Sequence, residues 1–130
     1  MTPSHEEALR ALRIADRDIV AFRKMNNDPD FHFATTCFHA QQAVEKCMKA
    51  VMFKRGILFP PIHDLARLAL ALHEHGIAVP CSVDDLRKLN PFAVTFRYDD
   101  TDIPLIPSAE VEKMVDIMRA WAGETVNSQP

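Results

Sequence analysis

The chain has 130 residues, of which 48% are hydrophobic and 25% are charged, and its net charge is −3. This length suits one domain with its own core, and the composition excludes an intrinsically disordered chain. With 3 Gly and 1 Tyr, it also excludes a many-stranded all-β fold. The net charge gives no global attraction to nucleic acid or to an anionic membrane.

The cysteines and the apolar runs indicate the compartment. Cys37, Cys47 and Cys81 form no CxxC pair, which favours free thiols in a reducing cytosol. The N-terminal segment is charged from His5 onward and has no apolar stretch of signal-peptide length. No run approaches the ~20 apolar residues of a transmembrane helix. We therefore expect a cytoplasmic protein that does not bind a membrane.

The first predicted helix is about 22 residues long and begins at Ser4, which can form a capping box with Glu7. Its apolar residues recur every three or four positions: Ala8, Leu12, Ala15, Ile19 and Phe22. Basic residues recur at a similar period on another face: Arg10, Arg13, Arg17 and Lys24. Pro29 follows, in a segment that breaks the helix.

The second predicted helix runs from about Asp30 to Arg55, near 38 Å at about 1.5 Å per residue. It ends at Gly56, because glycine adopts the positive φ of a helix C-terminus without strain. Pro60 and Pro61 then predict a loop, since a proline pair cannot lie inside a helix. We expect this long helix to be the central one.

The third predicted helix begins at His63 and Asp64 and closes at Gly76. Asp64 is expected at the N-cap or in the first turn, and a carboxylate is favourable at either place. Ser82 opens a fourth helical segment, in which Pro91 predicts a kink or a restart.

The last predicted helix is capped by Ser108 and ended by Gly123. The helices and their short connections predict an all-α fold, an antiparallel helix bundle. We assign residues 1–123 to one helical domain and residues 124–130 to a polar C-terminal tail.

The histidines and glycines are candidates for a metal or phosphate site. His73 and His75 are two residues apart, so their side chains point about 200° apart on a helix. The same spacing separates Cys37 from His39. We expect structural or surface roles for these residues, with a metal site as the alternative. The chain has no GxGxxG, Walker or GxSxG motif, so no cofactor is expected.

The second predicted helix carries polar residues beside its apolar stripe. Gln41 and Glu45 lie one turn apart there. A glutamine on a core-facing stripe must find hydrogen-bond partners, because an unpaired buried amide costs about 1–3 kcal/mol. The pair is interpreted either as a polar clamp between helices or as a partly open polar site.

Two motifs together resemble the signature of the HEPN domain family (higher eukaryotes and prokaryotes nucleotide-binding). They are the stretch FHAQQAVEKCMKA, residues Phe38–Ala50, and the later His-Asp-Leu of residues 63–65. The segment Leu89–Tyr98 is similar to a family stretch that ends in Arg-Tyr-Pro, with Asp99 in place of the proline. The resemblance covers roughly residues 5–122.

The resemblance implies an up-and-down bundle of four main helices with a short additional helix. It also implies a homodimer, and the many Met and Phe residues are expected on outer faces that a dimer would cover. Family members often work beside a minimal nucleotidyltransferase in toxin–antitoxin-like systems, with nucleotide or RNA as the associated ligand. Many others are metal-independent ribonucleases with an Arg-x4–6-His motif assembled across a dimer.

One pair in the chain matches that motif formally, because five residues separate Arg67 from His73. Ribonuclease members carry the motif on a later helix, near where Arg97 falls here, and no histidine follows His75. The spacing also places the two side chains about 240° apart around a helix. We therefore interpret Arg67 and His73 as solvated residues, with a catalytic role as the alternative.

Without a histidine nearby, Arg97 cannot complete general acid–base catalysis, but it can bind phosphate or pair with Asp64 or Glu45. We expect His63 to lie within reach of the polar residues of the second helix or of Arg97. The residues that the resemblance brings to a ligand site are Arg97, Tyr98, His63, Asp64, Gln41, Glu45 and His39.

Three hypotheses for the function remain. The chain is a non-catalytic, dimeric partner module of a nucleotidyltransferase, a divergent ribonuclease toxin, or a structural dimer with no ligand. The missing histidine after position 75 favours the first hypothesis over the second.

Overall fold

A computed structural model describes residues 3–59, 61–93 and 106–128 of the protein. Every regular element in these three ranges is helical, as the composition predicts. The elements are α1 (Pro3–Met25), α2 (Phe33–Arg55), α3 (Leu65–Glu74), α4 (Val83–Leu89), a 3-10 helix (Asn90–Ala93) and α5 (Ser108–Asn127).

The central position of α2 is confirmed. It packs against every other helical element, and its contact with α1 is the most extensive. Its buried residues lie on most of its circumference, which is typical of a helix enclosed by neighbours. His5 meets Lys54, and Asp18 meets His39 further along, so α1 and α2 run antiparallel.

The ends of α2 follow from local chemistry. The imidazole Nδ1 of His32 accepts a hydrogen bond from the backbone N–H of Ala34, so α2 begins three residues after the predicted Asp30. At the other end Gly56 has a φ of 69° and a backbone N–H bonded within the last turn, as predicted.

The predicted break at Pro91 is also confirmed, since α4 gives way to the 3-10 helix at Asn90. Phe92 of this short element is fully buried and packs edge-to-face against Phe33 of α2, with ring centroids 6.4 Å apart. Ser82 caps α4 by accepting a hydrogen bond from the backbone N–H of Asp85. This part of the chain is therefore anchored on α2 by one aromatic side chain.

Three predicted helix boundaries are wrong. The first helix already includes Pro3, so Ser4 lies inside it rather than at its cap. Ser108 caps nothing, because its hydroxyl instead donates to Asn26 Oδ1 at 2.7 Å, across 82 residues of sequence. The last helix continues through Gly123 to Asn127, because the fully buried Val126 packs its final turn against the core.

The apolar residues are distributed differently from the expectation. Most of the described methionines lie inside the core rather than on outer faces: Met48, Met52, Met114 and Met118. None of the described helices is both long enough and apolar enough to cross a membrane.

The three cysteines carry free thiols. Burial raises the pKa of Cys37 and Cys47 to about 12 and that of Cys81 to about 11. All three thiols are therefore protonated at neutral pH, and they act as small apolar side chains in their surroundings.

Candidate functional site

The polar centre of the molecule is the carboxylate of Glu45, whose side chain is fully buried in the middle of α2. Its Oε2 accepts a hydrogen bond from Lys49 Nζ at 3.0 Å and a longer one from Lys46 Nζ at 3.4 Å. Its Oε1 accepts from Gln41 Nε2 at 3.2 Å and lies 3.0 Å from His63 Nδ1. Four donors from two segments of the chain therefore converge on one carboxylate.

The helix itself arranges most of this cluster. Gln41, Glu45 and Lys49 are spaced four residues apart, so they lie on one face of α2, one turn above the next. In the pair with Lys49, Glu45 is on the N-terminal side, which is the better order for such a pair on a helix. The sequence spacing alone therefore produces a row of amide, carboxylate and ammonium.

The cluster is linked to the loop before α3 by Gln41. Its side-chain amide donates to the backbone carbonyl of His63 at 3.1 Å as well as to Glu45. Its own carbonyl accepts from Gln42 Nε2 at 2.6 Å. Of the two interpretations made from the sequence, the contacts match the polar clamp. In the described ranges every buried side-chain nitrogen and oxygen has a hydrogen-bond partner.

The expected proximity of His63 to the polar residues of α2 is confirmed. An ionised carboxylate only accepts, so Nδ1 of His63 carries the hydrogen that points at Glu45. The side chain of His63 is 62% exposed, whereas that of Glu45 is fully buried. The arrangement is an exposed imidazole held in one orientation by a buried carboxylate.

Asp64 is the N-cap of α3, as predicted. Its Oδ1 accepts from the backbone N–H groups of Ala66 and Arg67, at 3.0 and 3.2 Å. The same oxygen accepts from Asn90 Nδ2 at 3.0 Å, and Asn90 Oδ1 in turn accepts from the backbone N–H of Leu65 at 2.9 Å. Asp64 thus caps the first turn of α3 and also links that turn to the 3-10 helix.

The Asp64→Ala substitution is expected to lower the free energy of unfolding by about 1–2 kcal/mol, the cost of a lost N-cap, which here also leaves Asn90 without its acceptor. Urea denaturation measures it. Asp64→Asn is the matched control, because an asparagine also caps helices and should retain most of the stability. A loss below about 0.3 kcal/mol in the alanine variant would contradict the capping role.

The pKa of Glu45 reflects two opposing effects. Burial by itself would raise this pKa, since it disfavours the charged form. The hydrogen bond and positive charge of Lys49, with the hydrogen bonds from His63 and Gln41, outweigh burial and hold the pKa below its ordinary value of 4.5. Glu45 is therefore ionised at neutral pH, and its charge is balanced inside the fold.

Of the remaining site candidates, those that the structure describes lie apart from this cluster. His39 Nδ1 is 3.0 Å from Asp18 Oδ1, so His39 joins α2 to α1 instead of approaching Glu45. Arg67 and His73 are both exposed on α3. Arg97 and Tyr98, on which the expected phosphate site depended, lie outside the described residues.

Four members of the network were not predicted as site residues: Gln42, Lys46, Lys49 and Asn90. Lys49 could have been found from its spacing of four residues after Glu45. Asn90 gives no such signal, because it contacts Asp64 across 26 residues. Among residues 3–59, 61–93 and 106–128, no group of three or more His, Cys, Asp or Glu side chains is placed to hold a metal ion.

Comparisons with known proteins place these residues in a family. No curated protein and no solved structure matches the chain. A family model described as the HEPN domain matches residues 8–122, a range that includes α2, the Glu45 cluster and the N-cap Asp64. With nearly all of its helical residues inside that match, the chain belongs to the HEPN domain family.

Proposed function

We propose that this HEPN protein is a non-catalytic, dimeric partner module of a minimal nucleotidyltransferase in a toxin–antitoxin-like pair, associated with nucleotide or RNA. The observation that carries the proposal is the closed network around Glu45. Gln41, Glu45 and His63, three of the candidate ligand residues from the family signature, bond there to each other. Such a network fixes the position of the loop before α3 relative to α2. A rigid arrangement of this kind suits a module that presents a surface to a partner.

The positions of Arg67 and His73 support the absence of catalysis. Both are exposed on α3 and are six residues apart, so within one chain their side chains lie about 240° apart around the helix, which is about 120° by the shorter way. A ribonuclease needs its base and its cation on the same phosphate. Arg67 and His73 of the same chain therefore do not form such a pair.

The oligomeric state and the topology are part of the same proposal. Leu58 is 97% exposed, and Leu70 on α3 is also exposed, so the protein has apolar surface that a second copy can cover. The bundle is proposed to be up-and-down with four main helices. The contacts Arg23–Asp116 and Asp16–Arg119 support this topology, since they set α5 antiparallel to α1. The free cysteines support a cytoplasmic location.

A second candidate function is a divergent ribonuclease toxin. The specific observation that favours it is the exposed imidazole of His63 with the buried Glu45 behind it. A carboxylate that orients a histidine is a recurring arrangement for a general base. In the described part of the chain no hydrogen bond joins His63 to a hydroxyl or thiol, so this candidate requires a nucleophile from the RNA itself.

The partner role is tested by a pull-down of the tagged full chain from the source cell, with mass spectrometry and RNA sequencing of what it retains. Light scattering at micromolar concentration gives the oligomeric state in parallel. We expect enrichment of a small nucleotidyltransferase and a mass near twice 14.7 kDa. Either a monomer or a pull-down that enriches no nucleotidyltransferase would overturn the proposal.

A further inference from the structure

The solvent-facing side of α1 carries a basic stripe, defined as Arg10, Arg13, Arg17 and Lys24. The spacings of three, four and seven residues place all four on one face of the helix, opposite the face that enters the core. All four residues are exposed. The stripe extends for about 21 Å along α1.

The acidic residues of α1 do not neutralise this stripe. Asp16 is bound by Arg119 of α5, with Nε 2.6 Å from Oδ1, and Asp18 faces His39 of α2. Both aspartates lie on the flanks of α1 that pack against neighbouring helices. Glu6 and Glu7, near the helix start, form no described hydrogen bond or ion pair with the stripe, and Glu6 stabilises the first turn through the helix dipole. Among the described contacts, no acidic side chain bonds to the basic stripe.

Most other cations of the described chain are used within the fold. Arg23 pairs with Asp116, and Lys46 and Lys49 pair with Glu45. Further pairs join neighbouring residues of α4: Arg87 with Asp84, and Lys88 with Asp85. The basic stripe therefore stands out as a concentration of cations that the protein does not use internally.

We propose that the basic stripe of α1 binds the phosphodiester backbone of a nucleic acid strand. The proposal rests on and deepens the RNA association of the proposed function, and its site is separate from the Glu45 network. Four adjacent cations attract the regularly spaced negative charges of such a backbone and release its counterions on binding. Because this attraction is to phosphate, it does not depend on base sequence.

The chemistry of the stripe favours phosphodiester over the acidic surface of a protein. Three of its four cations are arginines, whose planar guanidinium matches phosphate oxygens in a bidentate way. Protein interfaces depend on buried aromatic or apolar anchors at their centre. The stripe offers only Val20, which is about half exposed.

The overall charge of −3 does not cancel this attraction. Charges act over about 10 Å at 0.1 M salt, so a ligand at the stripe experiences mainly the cations beside it. Neighbouring members of the stripe are about 4.5 to 10.5 Å apart along the axis, close enough to reinforce each other. The cations of the stripe can therefore attract an anionic ligand although the net charge of the protein is negative.

The test compares the full-length protein with the triple variant Arg10→Gln/Arg13→Gln/Arg17→Gln. Glutamine is neutral and a good helix former, and circular dichroism checks that the fold is kept. The matched control, Arg55→Gln/Arg87→Gln/Lys113→Gln, removes the same charge from exposed positions off the stripe. The probes are fluorescein-labelled single strands of 20 nucleotides, one RNA and one DNA of the same sequence, titrated at 50 and 200 mM salt.

We expect the wild-type protein to bind at least one probe at 50 mM salt with a Kd of roughly 1–100 µM. The stripe variant should bind at least tenfold more weakly and lose about 2 units of the salt-dependence slope, since each phosphate contact contributes about 0.7. The control should change less than threefold. Equal affinity for both probes would identify backbone recognition alone, and a preference for RNA would add recognition of the 2′-hydroxyl.

Three outcomes would overturn the proposal: no binding of either probe by the wild type, an equal loss in the control, or binding of a poly-glutamate peptide in place of both probes. The last outcome would assign the stripe to an acidic protein. The nucleotidyltransferase pull-down is scored separately. Oligonucleotide binding through the stripe without an enriched nucleotidyltransferase would refute the proposed function and leave the stripe intact as a site.

Discussion

The Glu45→Ala substitution is expected to lower the free energy of unfolding by about 3–5 kcal/mol, the usual cost of removing one partner from a buried ion pair. Lys49 would keep its charge in a nearly buried position without the carboxylate that balances it. Gln41 and His63 would each lose an acceptor as well. Urea denaturation at pH 7 measures the loss.

A double variant distinguishes the effect of the two charges from the effect of the volume that their side chains fill. In Glu45→Met/Lys49→Met both charges are replaced by apolar side chains of similar volume, so neither is left unbalanced. We expect this double variant to recover most of the stability lost in Glu45→Ala. The Gln41 amide still donates to the backbone carbonyl of His63, and the exposed imidazole of His63 can bond to water. If the double variant were as unstable as Glu45→Ala, the ion-pair explanation would be wrong.

The Lys49→Met substitution is expected to reverse the pH dependence of stability. In the wild type the pKa of Glu45 lies below its ordinary value of 4.5. Its contribution to stability is therefore complete above that value and is lost as the pH falls through the folded-state pKa. Without the ammonium group of Lys49, we expect burial to outweigh the remaining hydrogen bonds to Glu45 and to raise the pKa of this carboxyl above its ordinary value.

The variant should therefore be about 3–5 kcal/mol less stable than the wild type at pH 7 and regain stability as the pH falls toward 5. Protonation of the buried carboxyl removes the charge that Lys49 no longer balances. Urea midpoints at pH 7, 6 and 5 give the two profiles, and Lys88→Met on the exposed Lys88–Asp85 pair is the control. Parallel profiles for wild type and Lys49→Met would contradict a Lys49-stabilised carboxylate.

The sequence predicted the parts of the site that depend on local spacing. The cap at Asp64, the end of α2 at Gly56 and the approach of His63 to α2 all follow from short patterns and from the family motif. The pairing of Asn90 with Asp64 does not, because it joins residues that only the folded chain brings together.

The wrong predictions at the two ends of α5 also result from contacts between residues that are distant in the sequence. Glycine inside a helix costs about 1 kcal/mol relative to alanine, so Gly123 predicted an end. Packing of the buried Val126 outweighs that cost and continues α5. A serine before a helix predicts a cap, but the hydroxyl of Ser108 has Asn26 of the α1–α2 turn as a closer partner. In both cases tertiary contacts decide between local alternatives.

Whether this HEPN protein is non-catalytic is tested most directly by incubating the purified protein with labelled cellular RNA and resolving the products on a gel. If the protein is non-catalytic, we expect intact RNA with the wild type and the same result with Arg67→Ala, His73→Ala and His63→Ala. Cleavage by the wild type that disappears in any of these variants, with the fold retained by circular dichroism, would contradict the account and establish the ribonuclease function in its place.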